Sequence, residues 1–136
     1  MIKIDRFSGF IPNVQNRIIA ERYKNGLQRR GLPDDYIEFI NKINGGEGFV
    51  GTQYLILWRI EEIFDYNFEY QVNELAPGLF LIGSSGGGEG FGYDLSNCQK
   101  PLISVPFIGM NRDYIEFMAD DLSDFFKRLE LKNDTI

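Results

Sequence analysis

The chain has 136 residues, of which 43% are hydrophobic and 25% charged, and this is the composition of one ordinary globular domain. Its net charge of −6, from 20 acidic and 14 basic residues, argues against a general nucleic-acid binder, which needs a net basic face. The absence of histidine and the single cysteine, Cys98, exclude Ser-His-Asp and Cys-His catalysis, imidazole-ligated zinc, cysteine-only metal clusters and an intramolecular disulfide.

Two helices are predicted in the first third of the chain. Apolar residues at three- and four-residue steps predict the first over Asn13–Arg30, with Asn13 as its N-cap and Gly31 closing it in the left-handed conformation. Pro33 and two following aspartates favour the first turn of a second helix, which Asn44-Gly45-Gly46 stops. The two helices must therefore form a tight αα-corner.

The glycine-rich middle of the chain predicts strands. Eleven of the 15 glycines fall between Gly45 and Gly92, and runs rich in β-branched and aromatic residues separate them. A short helix over Arg59–Asn73 is predicted after the first strand. The predicted strands are Thr52–Trp58, Leu79–Gly83, Gly90–Leu95, Leu102–Phe107 and Tyr114–Met118.

A last helix follows, with an apolar stripe at residues 122–129 and three aspartates in its first turn, where the helix dipole favours negative charge. Helices at both ends and strands in the middle indicate an α+β fold. We expect one domain over residues 1–136, with residues 1–12 as an N-terminal extension and residues 132–136 as a frayed tail.

Two motifs invite a ligand-binding interpretation, and a structural one fits each better. The segment Gly83–Gly90 has Glu89 where a phosphate loop has lysine, so it is predicted to be a long hairpin turn. The run Asp120-Asp121-x-x-Asp124 lacks the residue order of a calcium loop, and the electrostatics of a helix start explain it. No metal or cofactor is predicted.

Carboxylates are the only general acid/base groups in the chain. The adjacent pairs Glu61-Glu62 and Asp120-Asp121 point about 100° apart on a helix, so neither pair is a facing dyad. A remote pair such as Glu47 with Glu89 stays open. Without a histidine as base, Cys98 is expected to be a surface or half-buried structural thiol.

Acidic residues dominate the segment between Arg59 and Lys100, which holds seven Asp and Glu residues and no Lys or Arg. These acids are either solvated side chains without partners or an acidic face that attracts a basic partner and speeds encounter with it. The aromatic residues nearby are either core residues or interface anchors within a polar rim.

The single thiol and the sequence of the first 20 residues predict a cytoplasmic protein. One cysteine without a bridge fits a reducing compartment. Residues 1–20 are interrupted by charged side chains and lack the apolar stretch of a signal peptide. The longest strictly apolar runs have five residues, against the roughly 20 that span a bilayer, so we expect no contact with membranes.

Five pieces of the sequence occur in an order that is typical of a known family. They are Leu32-Pro33-Asp34-Asp35-Tyr36-x-x-Phe39, Asn44-Gly45-Gly46, Tyr54-Leu55-x-Leu57-Trp58-x-Ile60-Glu61-Glu62-Ile63, Phe80-Leu81-Ile82-Gly83 with Gly92-Tyr93-Asp94-Leu95, and the closing helix from Ala119 to Leu129. Their order resembles the SUKH superfamily, which comprises bacterial immunity proteins and the fungal regulator of cell-wall (glucan) synthesis. Leu122 stands where the family often has Phe. The resemblance covers about 100 residues, and the longer glycine turn and the segment before Asn13 lie outside it.

The resemblance implies a single α+β domain with a central, mostly antiparallel sheet and helices packed around it. It also implies a non-enzymatic protein, since members of the family are not known as enzymes, and the family has no fixed catalytic residues to transfer to this chain. Many bacterial members bind and neutralise a cognate toxin, often a nuclease, within polymorphic toxin systems. The fungal member is a signalling scaffold. Interface residues vary with the toxin, so none is transferred to this chain.

We therefore expect an immunity protein, monomeric or homodimeric, that covers a basic toxin by surface complementarity, without a cofactor and without binding nucleic acid. An intracellular regulatory adaptor of the cell-wall type is the alternative, and a small-molecule-binding or hydrolytic domain with remote carboxylates is a third hypothesis. Charge reversal at Glu61, Glu62 and Asp65 is expected to slow association with the toxin. The candidate contact residues are Glu47, Phe49, Glu61, Glu62, Asp65, Tyr66, Glu69, Tyr70, Glu89, Phe91 and Asp94.

Overall fold

The computed structural model describes residues 9–13 and 17–132, and within them seven strands form one antiparallel sheet with helices around it. The predicted α+β fold with a central antiparallel sheet is confirmed. The strands are β1 Phe10–Pro12, β2 Gly46–Val50, β3 Gln53–Leu57, β4 Leu79–Ser84, β5 Glu89–Asp94, β6 Leu102–Pro106 and β7 Glu116–Ala119. The helices are α1 Arg17–Arg30, α2 Asp34–Lys42, α3 Ile60–Glu69, α4 Val72–Leu75 and α5 Leu122–Leu131, and a 3-10 turn covers Arg112–Tyr114.

The sheet is a meander in which strand order follows chain order from β1 to β7. Residues paired across an antiparallel ladder share a face, and neighbours along a strand alternate between faces. On one face, Phe10 packs 5.9 Å from Phe126 of α5, and Tyr93 packs 5.7 Å from Tyr36 of α2, as measured between ring centroids. We call this covered side the helix face.

The other side, which we call the open face, is exposed at β1–β3. Ile11 of β1 pairs with Glu47 of β2, and Phe49 of β2 pairs with Tyr54 of β3. Ile11 is 71% exposed and Phe49 is 53% exposed. An antiparallel sheet can keep one face in water in this way, and here it leaves apolar side chains available for contact.

Strands β1 and β2 are the elements that the sequence pattern missed. Two glycines in Gly46–Val50 indicate a turn, but they serve the close approach of β1. A Cβ atom at Gly48 would lie 1.9 Å from the carbonyl oxygen of Gly9, and one at Gly46 would lie 2.4 Å from that of Ile11. Residues 10–12 thus belong to the sheet, which corrects their assignment to an N-terminal extension. Residues 1–8 of that extension lie outside the described residues.

The αα-corner ends α1 as predicted. Gly31 has a φ of +84°, and the N–H of Leu32 donates to the carbonyl of Leu27 at 3.2 Å. The start of the predicted helix and the N-cap role of Asn13 involve residues 14–16, which lie outside the described residues. The side chain of Asn13 donates to the backbone carbonyl of Asn44 at 2.9 Å.

Several element boundaries after residue 59 differ from the predicted ones, because turns interrupt the predicted elements. The helix predicted over Arg59–Asn73 is divided into α3 and α4 at Gln71, whose φ of +56° is left-handed. The predicted glycine hairpin is confirmed, since the N–H of Ser85 donates to the carbonyl of Glu89 at 3.0 Å. Strand β7 begins two residues later than predicted, because the 3-10 turn occupies residue 114. Helix α5 reaches Leu131, and residues 133–136 of the predicted tail lie outside the described residues.

No helix in the described part of the chain combines the length and the apolar character needed to cross a membrane.

The core between α2, α5 and the helix face contains two tyrosines, Tyr36 and Tyr93, which are 1% and 0% exposed. Neither hydroxyl has a hydrogen-bond partner among the described residues, and burial raises the pKa of both. Each ring contributes apolar packing while its hydroxyl is desolvated without compensation.

Tyr36→Phe is expected to leave the free energy of unfolding unchanged or to raise it by up to about 1 kcal/mol, because the substitution removes an unsatisfied buried hydroxyl and keeps the ring. Urea unfolding measures the change, with Tyr114→Phe, at a tyrosine that is 62% exposed, as the matched control. A loss above about 1 kcal/mol in Tyr36→Phe alone would contradict this account.

Candidate functional site

Helix α3 is fixed at its N-terminal end by the side chain of Asn44, which is fully buried. The Oδ1 atom of Asn44 accepts from the backbone N–H of Ile60 at 2.7 Å, and its Nδ2 atom donates to Glu61 at 2.6 Å. The backbone carbonyl of Asn44 accepts from the side chain of Asn13 at 2.9 Å. One residue therefore connects the end of α2, the segment after β1 and the start of α3.

The other end of α3 is fixed to the sheet by Asn67. Its Nδ2 atom donates to the carbonyls of Ile63 and Leu81, and its Oδ1 atom accepts from the N–H of Leu81, each at 2.8 Å. Strand β3 pairs with β4 only at Ile56–Ser84 and Leu57–Gly83. Beyond these two pairs, the side chain of Asn67 bonds the backbone of Leu81 in β4, as a neighbouring strand would do. These bonds hold α3 along the sheet.

Anchored in this way, α3 exposes three acids on successive turns. Glu62, Asp65 and Glu69 follow the i, i+3, i+7 spacing of one helix face, and all three are exposed. No basic side chain among the described residues lies within 4.0 Å of any of them. We call these residues the acidic stripe.

Four aromatic rings cluster beside the acidic stripe. Tyr66 lies 4.6 Å and Tyr70 lies 6.2 Å from Trp58, and Phe107 lies 4.2 Å from Tyr70, all between ring centroids. Trp58 is 7% exposed, whereas Tyr70 is 38% exposed. We call these four residues the aromatic cluster. It offers partly exposed ring surface beside carboxylates.

A concavity of about 360 Å³ lies between the aromatic cluster and the open face. We call it the open-face groove. Two of its lining residues, Glu47 and Glu62, are acidic, and one, Arg59, is basic. Its lining residues are Asn13, Gly46, Glu47, Ile56, Leu57, Trp58, Arg59, Glu62, Tyr66, Tyr70 and Ser84.

The pKa values of Tyr66 and Tyr54, two tyrosines at or near the groove, are raised by neighbouring glutamates, which indicates a negative electrostatic potential there. The charge of Glu62 is the largest cause of the raised pKa of Tyr66, followed by burial, Tyr70 and Glu69. The hydroxyl of Tyr54 donates to Glu47, and this hydrogen bond is the main cause of the raised pKa of Tyr54. A further negative charge is disfavoured at both sites, whereas a positive charge is favoured.

Six of the predicted contact residues come together around this site. Glu47, Glu62, Tyr66 and Tyr70 line the groove, and Asp65 and Glu69 continue the acidic stripe. Phe49 lies on the open face, with its ring 5.1 Å from that of Tyr54.

Glu61 and Phe91 do not join them. Glu61 accepts the hydrogen bond from Asn44 and so belongs to the anchor of α3. Phe91 is 5% exposed and packs 5.4 Å from Phe125, so its expected role as an exposed anchor is wrong. Alternation along β5 turns Phe91 to the helix face.

Glu89 lies on a different concavity. It is exposed and lines an open depression of about 580 Å³ together with Asp113 and Glu116. Glu47 and Glu89, the remote pair that the sequence left open, therefore do not line one cavity. Among the described residues no group of three ionisable side chains is arranged to hold a metal ion.

Asp94 is a structural residue and not an exposed acid. It is 7% exposed and receives two hydrogen bonds from Arg112, at 2.8 and 3.2 Å, and one from the Ser96 hydroxyl at 2.6 Å. Arg112 also donates to the carbonyl of Pro77 at 2.8 Å. Burial by itself raises the pKa of Asp94, but the bonds from Arg112 and Ser96 outweigh it and leave this pKa lowered.

The aspartates at the start of α5 cap it. The side chain of Asp121 accepts from the N–H of Asp124 at 2.7 Å, and the side chain of Asp124 accepts from the N–H of Asp120 at 3.2 Å. These bonds agree with the helix-start interpretation of the run. Cys98 is an exposed free thiol.

Trp58 and Phe107 are the site residues that sequence reasoning missed, because both stood at the ends of predicted strands. The spacing of Tyr66 and Tyr70, four residues apart on one helix, was the available signal that two rings share a face. Nothing in the local pattern indicates that Phe107, 37 residues after Tyr70, would stack on it.

Comparison with known proteins places the chain in a family. The model of the SMI1 / KNR4 family (SUKH-1) matches residues 28–128, about three quarters of the chain. The protein belongs to this family. The resemblance inferred from the sequence motifs is thereby confirmed over nearly the same residues. No match to a curated protein was found.

Asn44→Ala is expected to lower the free energy of unfolding by roughly 2–3 kcal/mol, because it leaves the N–H of Ile60 and the carboxylate of Glu61 without their buried partner. Chemical denaturation measures the loss. Asn73→Ala, at an exposed asparagine of α4, is the control and is expected to change stability by less than about 0.5 kcal/mol. Equal effects of the two substitutions would contradict the role of Asn44.

Asp94→Asn is expected to cost about 1 kcal/mol near neutral pH, because it removes the charge that pairs with the partly exposed guanidinium of Arg112. The folded-state pKa of Asp94 lies below the ordinary value of about 4, so this stabilisation is complete above pH 4 and is lost as the pH falls through the folded-state pKa. Urea unfolding of both proteins at about pH 7, 5 and 3 tests this. A stability difference that grows towards acid pH would contradict it.

Proposed function

We propose that this SMI1 / KNR4 family member is an immunity protein that binds and neutralises a cognate basic toxin, a nuclease being the foremost class. The contact surface in this proposal is the acidic stripe together with the open-face groove. The observation that carries it is a row of three exposed acids without ion-pair partners among the described residues, beside partly exposed aromatic rings.

Charge supports a basic partner. A nuclease binds an anionic substrate, so its active-site surface is usually basic, and an acidic inhibitor approaches it with favourable steering. Three acids on one helix face add their electrostatic fields, which strengthens the attraction of a basic partner to this side of the protein. Tyrosine rings such as Tyr66 and Tyr70 then supply the apolar contact that excludes water at the centre of an interface.

Two carboxylates in one groove are also what glycoside hydrolysis requires. Here Glu47 and Glu62 are both exposed and the groove is open, whereas a catalytic pair keeps one acid in a water-poor environment that raises its pKa. The geometry therefore favours binding over hydrolysis.

The proposal is tested by capture followed by neutralisation. The tagged protein is used to capture partners from its source cells at low and high salt, and the captured proteins are identified by mass spectrometry. The captured partner is then expressed alone and together with this chain. A stoichiometric basic partner whose toxicity disappears on co-expression supports immunity. Several substoichiometric, non-toxic partners from envelope or signalling pathways would overturn it and favour the regulatory adaptor.

Charge reversal of the acidic stripe, as Glu62→Lys, Asp65→Lys and Glu69→Lys combined, is expected to slow association with the toxin by roughly 10- to 100-fold at low salt, because the steering field is lost. The remaining rate should depend less on salt. Stopped-flow association kinetics measure both. Glu61 is excluded from this variant because it anchors α3.

The matched control reverses three exposed acids away from α3, Asp113→Lys, Glu116→Lys and Asp120→Lys, and changes the net charge equally. We expect its association rate to stay within about threefold of the original. Equal slowing by both triple variants would show that net charge, and not the acidic stripe, governs binding.

A further inference from the structure

The open-face groove combines aromatic surface with carboxylates in a small volume. Trp58 forms part of its wall, and Tyr66 and Tyr70 stand beside it with rings 4.6 and 6.2 Å from the indole. At about 360 Å³ the groove is at the small end of ligand sites and suits a single side chain better than a cofactor.

The acids of the groove have capacity for further donors. The Oε2 atom of Glu47 accepts from the hydroxyl of Tyr54, and its Oε1 atom has no hydrogen-bond partner among the described residues. Glu62 forms no salt bridge within the described residues. The basic lining residue, Arg59, donates to Asn13 at 3.2 Å and lies more than 4.0 Å from both glutamates.

These features together select one kind of occupant. A phosphate or carboxylate would be repelled by Glu47 and Glu62, and an apolar side chain would desolvate them without compensation. A guanidinium satisfies both requirements, because its flat faces stack on aromatic rings and its edge presents a fork of N–H donors to carboxylates. A lysine ammonium is more strongly hydrated and stacks less well.

The same contact occurs elsewhere in this chain. The guanidinium of Arg30 lies 5.1 Å from the ring centre of Phe64 and 5.5 Å from that of Phe80. Arg128 lies 5.5 Å from the ring centre of Phe117 while it bonds Asp124 at 2.8 Å. In the second case one guanidinium contacts both a ring and a carboxylate, which is the combination that the groove offers.

We propose that the open-face groove is an arginine-binding site, in which one arginine side chain projecting from the partner stacks on the aromatic cluster and donates to Glu47 and Glu62. The proposal rests on the proposed function, since the arginine belongs to the basic toxin. It goes further by naming the side chain that anchors the complex. The acidic stripe then steers the encounter, and the groove holds the partner once it has docked.

Trp58 makes the groove directly observable, because it is the only tryptophan in the sequence. The probe is the peptide acetyl-Gly-Arg-Gly-Arg-Gly-amide, titrated into the full chain while tryptophan fluorescence is recorded. We expect a saturable change with a dissociation constant of about 1 mM, weakened by salt. The matched peptide with citrulline at both arginine positions keeps the shape without the charge and is expected to give no saturable change.

Two conservative variants locate the site. Glu62→Gln removes the charge at an exposed position without disturbing the fold, and it is expected to weaken binding of the arginine peptide roughly tenfold. Glu89→Gln, on the other concavity, is expected to leave binding unchanged. The absence of a saturable change, an equal response to the citrulline peptide, or equal effects of the two variants would each overturn the arginine site.

The two proposals can fail separately. If the arginine peptide binds as expected but no captured partner is a toxin, the groove takes arginine from a different class of partner and the immunity function fails. If the toxin is neutralised but the peptide gives no saturable signal, immunity stands and the arginine site fails.

Discussion

The buried amide of Asn44 is the contact on which the rest of the candidate site depends. Asn44 follows α2, yet its side-chain amide bonds the N–H of Ile60 and the carboxylate of Glu61, 16 and 17 residues later, and its backbone carbonyl accepts from the side chain of Asn13. An unpaired polar group costs free energy when it is buried, so the arrangement that pairs the side-chain amide of Asn44 is favoured. That arrangement brings α3 alongside the sheet, with the acidic stripe in solvent and Tyr66 against Trp58.

The two faces of the sheet have different roles. On the helix face, Tyr93 packs against Tyr36 of α2 and Phe91 packs against Phe125 of α5, and these rings belong to the buried core. The open face at β1–β3 contributes little burial, which leaves it free to contact a partner. The groove lies where α3 meets this face, so the element fixed most firmly by Asn44 and Asn67 also carries the charges and rings of the binding surface. A preorganised site of this kind loses little conformational entropy on binding.

Sequence patterns predicted most of the fold, because apolar periodicity and turn residues act locally. They failed at β1 and β2, where Gly46 and Gly48 indicate a turn in isolation and are required in fact by the approach of β1. For the site, the acid-rich segment was visible, and six of its predicted residues do gather around the groove. The assignment failed for Phe91 and Asp94, which lie on β5 near exposed turns in sequence but are buried by α5 and Arg112 in space. Burial of a single residue depends on which distant element covers it, and local composition carries no information about that.

The sequence by itself limited the residue types available for catalysis and determined the family. A chain without histidine and with one cysteine has few catalytic options, and the order of its motifs matches the SMI1 / KNR4 family over residues 28–128. Only the tertiary structure decided which acids are free and which are structural. Glu61 and Glu62 are neighbours in sequence, yet the half-buried Glu61 accepts from Asn44 and the exposed Glu62 lines the groove, because adjacent positions on a helix point in different directions. The stacking of Phe107 on Tyr70 likewise follows from the path of the chain after β6 and not from any pattern around either residue.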